Sequence, residues 1–557
     1  MLINTDSGRL LNKSGQASSF ETQPIFWELI SSMTTDIDHA RIEHEVAQYY
    51  RYAMFSHKWE EHEPLFEKVI HIVVYELEES RTHNKLQMFC KIVRAGGFHW
   101  AWSDTCCINK ADHFMLQEAL VSMFKWYRSS ALTVIFLLGV HSLSQRGDLV
   151  KSIWNTRAWT FQEYHASKVV RFYTEEWTPY LNLDIPNHKE SPEIISEMEE
   201  ATGVSAQALM ALRPGLDDIR EKLRLASTRQ TTRVEDAAYS LLGIFSTSLP
   251  VVYGEGDTAL GRLLAQLLTS SGDTSILAWK GRSGNFNSCL PANIVVFDQL
   301  PTTHVPSGIH GTDMTMITSK MWNSPLNFTL AMELYDRLDA LPVSLFAGQR
   351  LKLPCIIFKL ECVSVSRNMS GRVFHAQTNA LGVVEIRTEE NISRLGSLYL
   401  IYPWIDFLLD RQPLGSAMRT IPEENHRSSS IDESPSFFGP SNTTLPGARL
   451  EPQVAQGFNI TSLERLFSGP PPLPPRNHQS SLRPPPSLSP MVKRLQALRV
   501  IVRLIQPFGA LLLTPSLGNV AAYRRVAADS LITVQVGQIT PEMLGNLVDS
   551  VRVLDVL

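Results

Sequence analysis

Residues 131–138 read ALTVIFLL, a run in which only Thr133 carries a polar side-chain atom. A strand with one wet face alternates apolar and polar residues, so an unbroken apolar run predicts a strand covered on both sides. Such a strand needs neighbours of the same kind and helices to cover them. The flanking sequence supplies both. RYAMFSH (51–57), FHWAWSD (98–104) and KVVRFYT (168–174) are the other predicted strands. Helical stretches are predicted around 63–79 and 84–95, with Gly96-Gly97 as a stop, and at 112–130, where Met115, Ala119, Ser122 or Met123, and Trp126 share one face. Residues 152–167, SIWNTRAWTFQEYHAS, are predicted as one further helix. Strands alternating with helices imply an α/β fold built on an open parallel sheet.

After residue 175 the pattern turns helical. Ser191, Pro192 and Gly203 mark a helix over 191–203 by N-cap, first-turn proline and C-terminal glycine. Thr232 and Glu235 have the spacing of a capping box. We therefore divide the chain into a leader (1–50), an α/β core (51–175), a helical extension (176–280), a β-rich region (281–411), a Pro/Ser-rich disordered linker (412–492) and a C-terminal segment (493–557) that completes the β-rich region. A chain of 557 residues has room for about two to four such units.

Composition narrows the function classes. A net charge of −5 with pI ≈ 6.4 and no long basic run gives no reason to expect nucleic acid. The longest apolar run, 131–140, is about half of what spans a bilayer. The N-terminus MLINTDSGRLLNKSG lacks the apolar core of a secretion signal. Six scattered cysteines do not make a disulfide framework, so the expectation is a cytoplasmic protein with reduced thiols.

In open parallel sheets, ligands bind outside the carboxyl ends of the strands. Those ends carry Ser56-His57, then Asp104-Thr105-Cys106-Cys107, then Gly139 and His141. Ser56, His57 and Asp104 have the residue types of a hydrolase triad, but neighbouring strand residues point to opposite faces, so Ser56 and His57 do not pair readily. Cys106 or Cys107 with His57 is a candidate thiolate nucleophile, but without a CxxC pair no metal is expected. Asp104 either binds ribose hydroxyls or caps a helix. Arg157 either pairs with Glu163 or Asp104, or holds a phosphate, or stays on the surface. On a helical wheel over 152–167, Trp154, Ala158, Phe161 and His165 form the core stripe, and Trp159 and Glu163 lie together opposite. Either Trp159 packs under the extension with Glu163 solvated, or both face the crevice. No G-x-G-x-x-G or P-loop sequence is present, which argues against a Rossmann dehydrogenase or a P-loop enzyme.

The blocks YAMFSHKW, WAWSDTCCINKAD, SMFKWYRSSALTVIFL, SIWNTRAWTFQEY, TRQTTRVEDAAYSLLGIF and VVYGEG, in this order, resemble the fungal heterokaryon-incompatibility (HET) domain over about residues 50–280, closest to basidiomycete members. Family members often have Gly, Asp and Gly where this chain has Glu60, Asn109 and Ala158. The resemblance implies self/non-self recognition ending in cell death. HET domains are distantly similar to Toll/interleukin-1 receptor (TIR) domains, which have a flavodoxin-like sheet. Many of those hydrolyse NAD+ with a glutamate on a helix near a tryptophan. The parallel falls on Glu163 as the catalytic residue, with Ser56, His57, Asp104, Arg157 and Trp159 binding substrate. It implies no cofactor, NAD+ being the substrate, and partners that are other copies or other incompatibility proteins. A non-enzymatic self-assembly module is the alternative. A cysteine-dependent hydrolase is a third reading.

Overall fold

The computed structural model describes residues 1–32, 38–299, 324–368, 371–378, 380–403, 490–516, 519–537 and 539–557. Met1–Gln412 and Gln496–Leu557 form one compact unit. The linker expected at 412–492 lies outside the described residues except for its last three, which open a helix.

The first strands are β1 (Leu2–Asn4), β2 (Leu10–Leu11), β3 (Tyr52–His57), β4 (Trp100–Ser103), β5 (Leu132–Phe136) and β6 (Val170–Tyr173). They form one sheet in the order β2-β1-β4-β3-β5-β6. The four strands read from sequence are mutually parallel, with Ser56 opposite Ile135 and His57 opposite Phe136. Chain order reverses at β3, which has β4 on one side and β5 on the other. This is the switch point at which α/β sheets open a crevice. Val134 and Ile135 are fully buried, as the apolar run requires.

Residues 1–50, read as a leader, do more than lead. β1 pairs antiparallel with β4, and α1 (Lys13–Glu21), α2 (Pro24–Ser32) and α3 (His39–Tyr49) pack on Trp100 through Phe20, Leu29 and Tyr49. A three-residue strand has too few positions to show periodicity in sequence.

Helix α4 (Arg81–Ala95) is capped by Ser80 and ends at Gly96, and α5 (His113–Ser129) is capped by Asp112. The helix expected over 63–79 is reduced to short turns at Phe66–Val69 and Val74–Glu76. The β-branched VIHIVV run between them carries low helix propensity. The single helix expected over 152–167 is two, α6 (Ile153–Thr156) and α7 (Ala158–Ala166), separated by Arg157 in extended geometry (φ −80°, ψ 141°).

The extension holds α8 (Pro192–Thr202), α9 (Ile219–Ser227), α10 (Asp236–Tyr239) and α11 (Thr258–Ser271). Ser191 and Gly203 cap α8 as read, with Gly203 at φ 64°. The Thr232–Glu235 capping box does not form. Glu235 accepts instead from the Gly254 and Gly256 amides at 2.7 and 3.0 Å, a longer-range bond that pins the VVYGEG loop.

Downstream lie α12 (Pro325–Asp339), β7 (Leu345–Ala347), β8 (Arg350–Lys359), β9 (Cys362–Asn368), β10 (Gly371–Gln377), β11 (Val384–Arg387) and β12 (Tyr399–Pro403). After the undescribed stretch come α13 (Pro490–Ile505), β13 (Phe508–Ser516), β14 (Asn519–Arg525), β15 (Ile532–Val534), α14 (Pro541–Asp549) and β16 (Val551–Val556). The pairings β8–β12, β12–β13, β13–β14, β14–β16 and β16–β8 close a ring. The C-terminal strands thus share one sheet with β7, β8 and β12, while β9, β10 and β11 form a separate three-stranded sheet.

Candidate active site

The carboxyl end of β3 presents two side chains to opposite faces. On one face Ser56 donates its hydroxyl to the Glu163 carboxylate and accepts the Trp154 indole N–H at 2.7 Å. On the other, His57 stacks on Phe55 with ring centroids 4.2 Å apart. The triad geometry is therefore excluded by the pleat, as the sequence indicated.

Glu163 stands on α7 and is 7% exposed. Burial and the neighbouring Asp104 charge push its pKa up to about 8, against the pull of the Ser56 hydrogen bond, Arg157 and Arg229. The Tyr127 hydroxyl, which donates to the Phe55 carbonyl at 3.1 Å, also faces this carboxylate.

Asp104, at the end of β4, is half-buried and accepts the Trp59 indole N–H at 2.8 Å, while Lys110 lies 3.4 Å over the Trp59 ring. Burial raises its pKa; Lys110, the Trp59 bond and Arg157 oppose the rise. Arg157 therefore acts on both carboxyls from the break between α6 and α7.

His57 is 5% exposed, neither ring nitrogen has a hydrogen-bond partner, and Nε2 stands 3.7 Å from Glu63. Burial, reinforced by Lys85, Arg157 and Lys110, holds it neutral. Glu63 itself is bound by Lys85, which also bonds Glu60 at 2.9 Å. Glu60, one of the departures from the family pattern, is thereby tied to Lys85 and to Arg81 at 2.8 Å.

The structure gathers Ser56, Asp104, Arg157 and Glu163 into one charged cluster, with His57 behind the sheet. Trp159 departs from the crevice expectation: it stands beside Asp236, at the start of α10 in the extension, and opposes the rise that burial gives that carboxyl. Trp154, read as core stripe, is the tryptophan linked to Glu163. Trp154, Ala158 and Phe161 of that stripe are buried as read, but Glu163, placed opposite it, is buried as well, and no single wheel runs through residue 157, where the chain is extended. Arg229 and Tyr127 were not read from sequence; neither stands in a local pattern that relates it to residue 163.

Cys106 and Cys107 are buried, and the Cys107 sulfur accepts the Ser103 amide at 3.3 Å. The hydrogen bond with Cys107 and burial push the Cys106 thiol up, which disfavours a thiolate at that residue, whereas against its burial the hydrogen bond with Cys106 holds the Cys107 thiol below the usual range. Among the described residues no His/Cys/Asp/Glu group has a metal-binding arrangement.

A cavity of about 420 Å³ opens beyond β5, lined by Leu138, Val140, His141, Asp148, Lys151 and Ile153 among others. It sits on the same edge of the sheet as the Ser56 cluster and abuts α6.

The class defined by these features is an open α/β domain with a carboxylate cluster at the carboxyl ends of its parallel strands. Residues 52–147, from β3 into the loop after β5, match the family model described as Heterokaryon incompatibility protein (HET). The chain carries a HET domain. It is 32% identical over 226 residues to the Vegetative incompatibility protein HET-E-1 of Podospora anserina, covering 38% of this chain and 16% of that relative. The chain thus spans only a small part of the length of the curated relative it matches. No solved structure matches it.

Proposed function

We propose that this chain acts in heterokaryon incompatibility as a cell-death effector whose HET domain hydrolyses NAD+ at the nicotinamide–ribose bond, with Glu163 as the essential carboxylate. The observation that carries the reading is Glu163 itself: a buried carboxyl with a pKa of about 8, beside Asp104, at the carboxyl ends of parallel strands. The order β4-β3-β5-β6 corresponds to the flavodoxin order 2-1-3-4 and supports a TIR-like reading of the sheet.

Breaking the bond releases nicotinamide and leaves an oxocarbenium-like ribose that water captures, giving ADP-ribose and a proton. Ionised Glu163 would stabilise the positive charge as it develops, Asp104 would hold ribose hydroxyls, and Arg157 would balance phosphate. Trp159, set beside Asp236 of the extension, is left out of this assignment. Glu163 is covered by Ser56 and Trp154 in the described state, so turnover requires those bonds to open. That fits an effector kept off at rest. We place the protein in the cytoplasm, with further copies or other incompatibility proteins as partners. Among the described residues no helix is long and apolar enough to cross a membrane.

One observation favours the second reading, a non-enzymatic assembly module. A carboxyl this buried and bonded to Ser56 also serves as a structural hydrogen-bonding acid. Purified full chain incubated with NAD+ separates the two. Nicotinamide release that is lost in Glu163→Gln, retained in Cys106→Ala/Cys107→Ala, and accompanied by unchanged melting temperatures supports hydrolysis at Glu163. Absence of release from the wild type, even when concentrated, contradicts it.

A further inference from the structure

We infer that Arg229, carried by the helical extension, is a positioning residue for Glu163: it fixes where that carboxylate stands and favours its ionised form. The inference rests on the reading of Glu163 as the reacting group, but its test does not depend on turnover.

Arg229 is 7% exposed. Its Nη1 donates to the Arg157 carbonyl and to the Thr160 hydroxyl, both at 3.1 Å, and its guanidinium lies 5.1 Å from the centre of the Phe161 ring. All three contacts belong to the first turn of α7 and the extended residue before it. The next residue completes the clamp. The Ala158 amide donates to the Gln230 carbonyl at 3.0 Å, and the Gln230 amide to the Thr156 carbonyl at 2.6 Å. The break between α6 and α7 is therefore held from outside the α/β core. Without that break, α7 would continue the direction of α6 and carry Glu163 elsewhere.

The charge has a second effect. A buried guanidinium is costly unless an anion offsets it, and Glu163 is the carboxylate whose charge acts on Arg229. The groups facing Glu163 are Ser56 from β3, Asp104 from the end of β4, Tyr127 from α5, Arg157 from the break, and Arg229 from the extension. Asp104 disfavours ionisation, whereas the two arginines and the Ser56 bond favour it. Arg157 is partly solvated and Arg229 is not, so the field of Arg229 is the less screened.

The test is a carboxyl-carbon NMR titration of Glu163 in full-length protein labelled at glutamate, with the resonance assigned by Glu163→Gln. In Arg229→Gln the midpoint is expected to rise by about one unit, a roughly tenfold loss of the ionised fraction below both midpoints. Arg229→Lys keeps the charge and is expected to stay nearer the wild type. A midpoint unchanged in a folded Arg229→Gln overturns the inference. If Arg229→Gln does not fold, Thr160→Val carries the test. It keeps the side-chain shape and removes one acceptor for the guanidinium, and a rise of a few tenths of a unit is expected. No movement there overturns the inference as well. Nicotinamide release is assayed separately: a wild type that titrates as expected but never releases nicotinamide sinks the hydrolase reading and leaves the Arg229–Glu163 coupling standing.

Discussion

The Ser56 hydroxyl accepts the Trp154 indole N–H and donates to Glu163, so removing it strands two buried polar groups at once. Ser56→Ala is expected to cost about 1–3 kcal/mol in urea denaturation, and to move the Glu163 titration further upward, because the lost bond favoured the charged form. Glu163 also makes the fold pH-sensitive. Its pKa is about 8 in the native state against an ordinary 4.5, so the native state holds a proton that the unfolded chain has released. Its contribution is fully present below about pH 4.5 and is lost as pH rises through about 8, on the order of 5 kcal/mol across the window. Glu163→Gln removes that slope. Melting temperature against pH is expected to be flatter in the variant than in the wild type over this range, and parallel curves would show that Glu163 is not the titrating group.

The break at Arg157 is the element-scale feature on which the site depends. Two short helices in place of one turn Trp154 toward Ser56 and leave Trp159 against the extension. The extension also meets α5 closely: a Cβ on Gly243 would overlap the Cβ of Phe124. Gly243→Ala is accordingly expected to destabilise by about 1–3 kcal/mol through overpacking, read as a lower urea midpoint with an unchanged slope. The parallel strands were legible because burial on both faces writes itself as continuous apolar runs. α8 was legible because its caps are local. The α6–α7 break was not, since its cause is a pair of backbone bonds to Gln230, more than seventy residues away. The same holds for Glu235, whose partners are the amides of Gly254 and Gly256 rather than its own helix. Ser56, Asp104 and Glu163 could be nominated from strand ends and a helix. Arg229 could not, because a buried arginine leaves no periodic trace.

At the scale of the compact unit, the C-terminal strands are tied to the helical extension as well as to the β-rich ring. Arg525 on β14 is buried against the Trp279 ring at 3.7 Å and donates to the Leu277 and Trp279 carbonyls at 2.8 and 2.6 Å. Asn287 bonds the Val556 carbonyl at 2.9 Å. Arg525→Met would leave the buried Trp279 carbonyl without its partner and take one of two donors from the Leu277 carbonyl, which also accepts the Trp279 amide at 3.2 Å; it is expected to cost about 1–3 kcal/mol, checked by whether the thermal transition moves down as one step. The family match ends at residue 147, whereas Glu163 lies beyond it and its clamp beyond residue 228, so the proposed chemistry needs the extension as well as the matched segment. The most direct measurement is nicotinamide release from NAD+ by the full chain between about pH 6 and about pH 9, in the wild type and in Glu163→Gln. The account predicts a wild-type rate that rises through about pH 8 as Glu163 ionises, with at least a hundredfold loss in Glu163→Gln at every pH. Release by Glu163→Gln at the wild-type rate, or no release by the wild type at any pH, would contradict it.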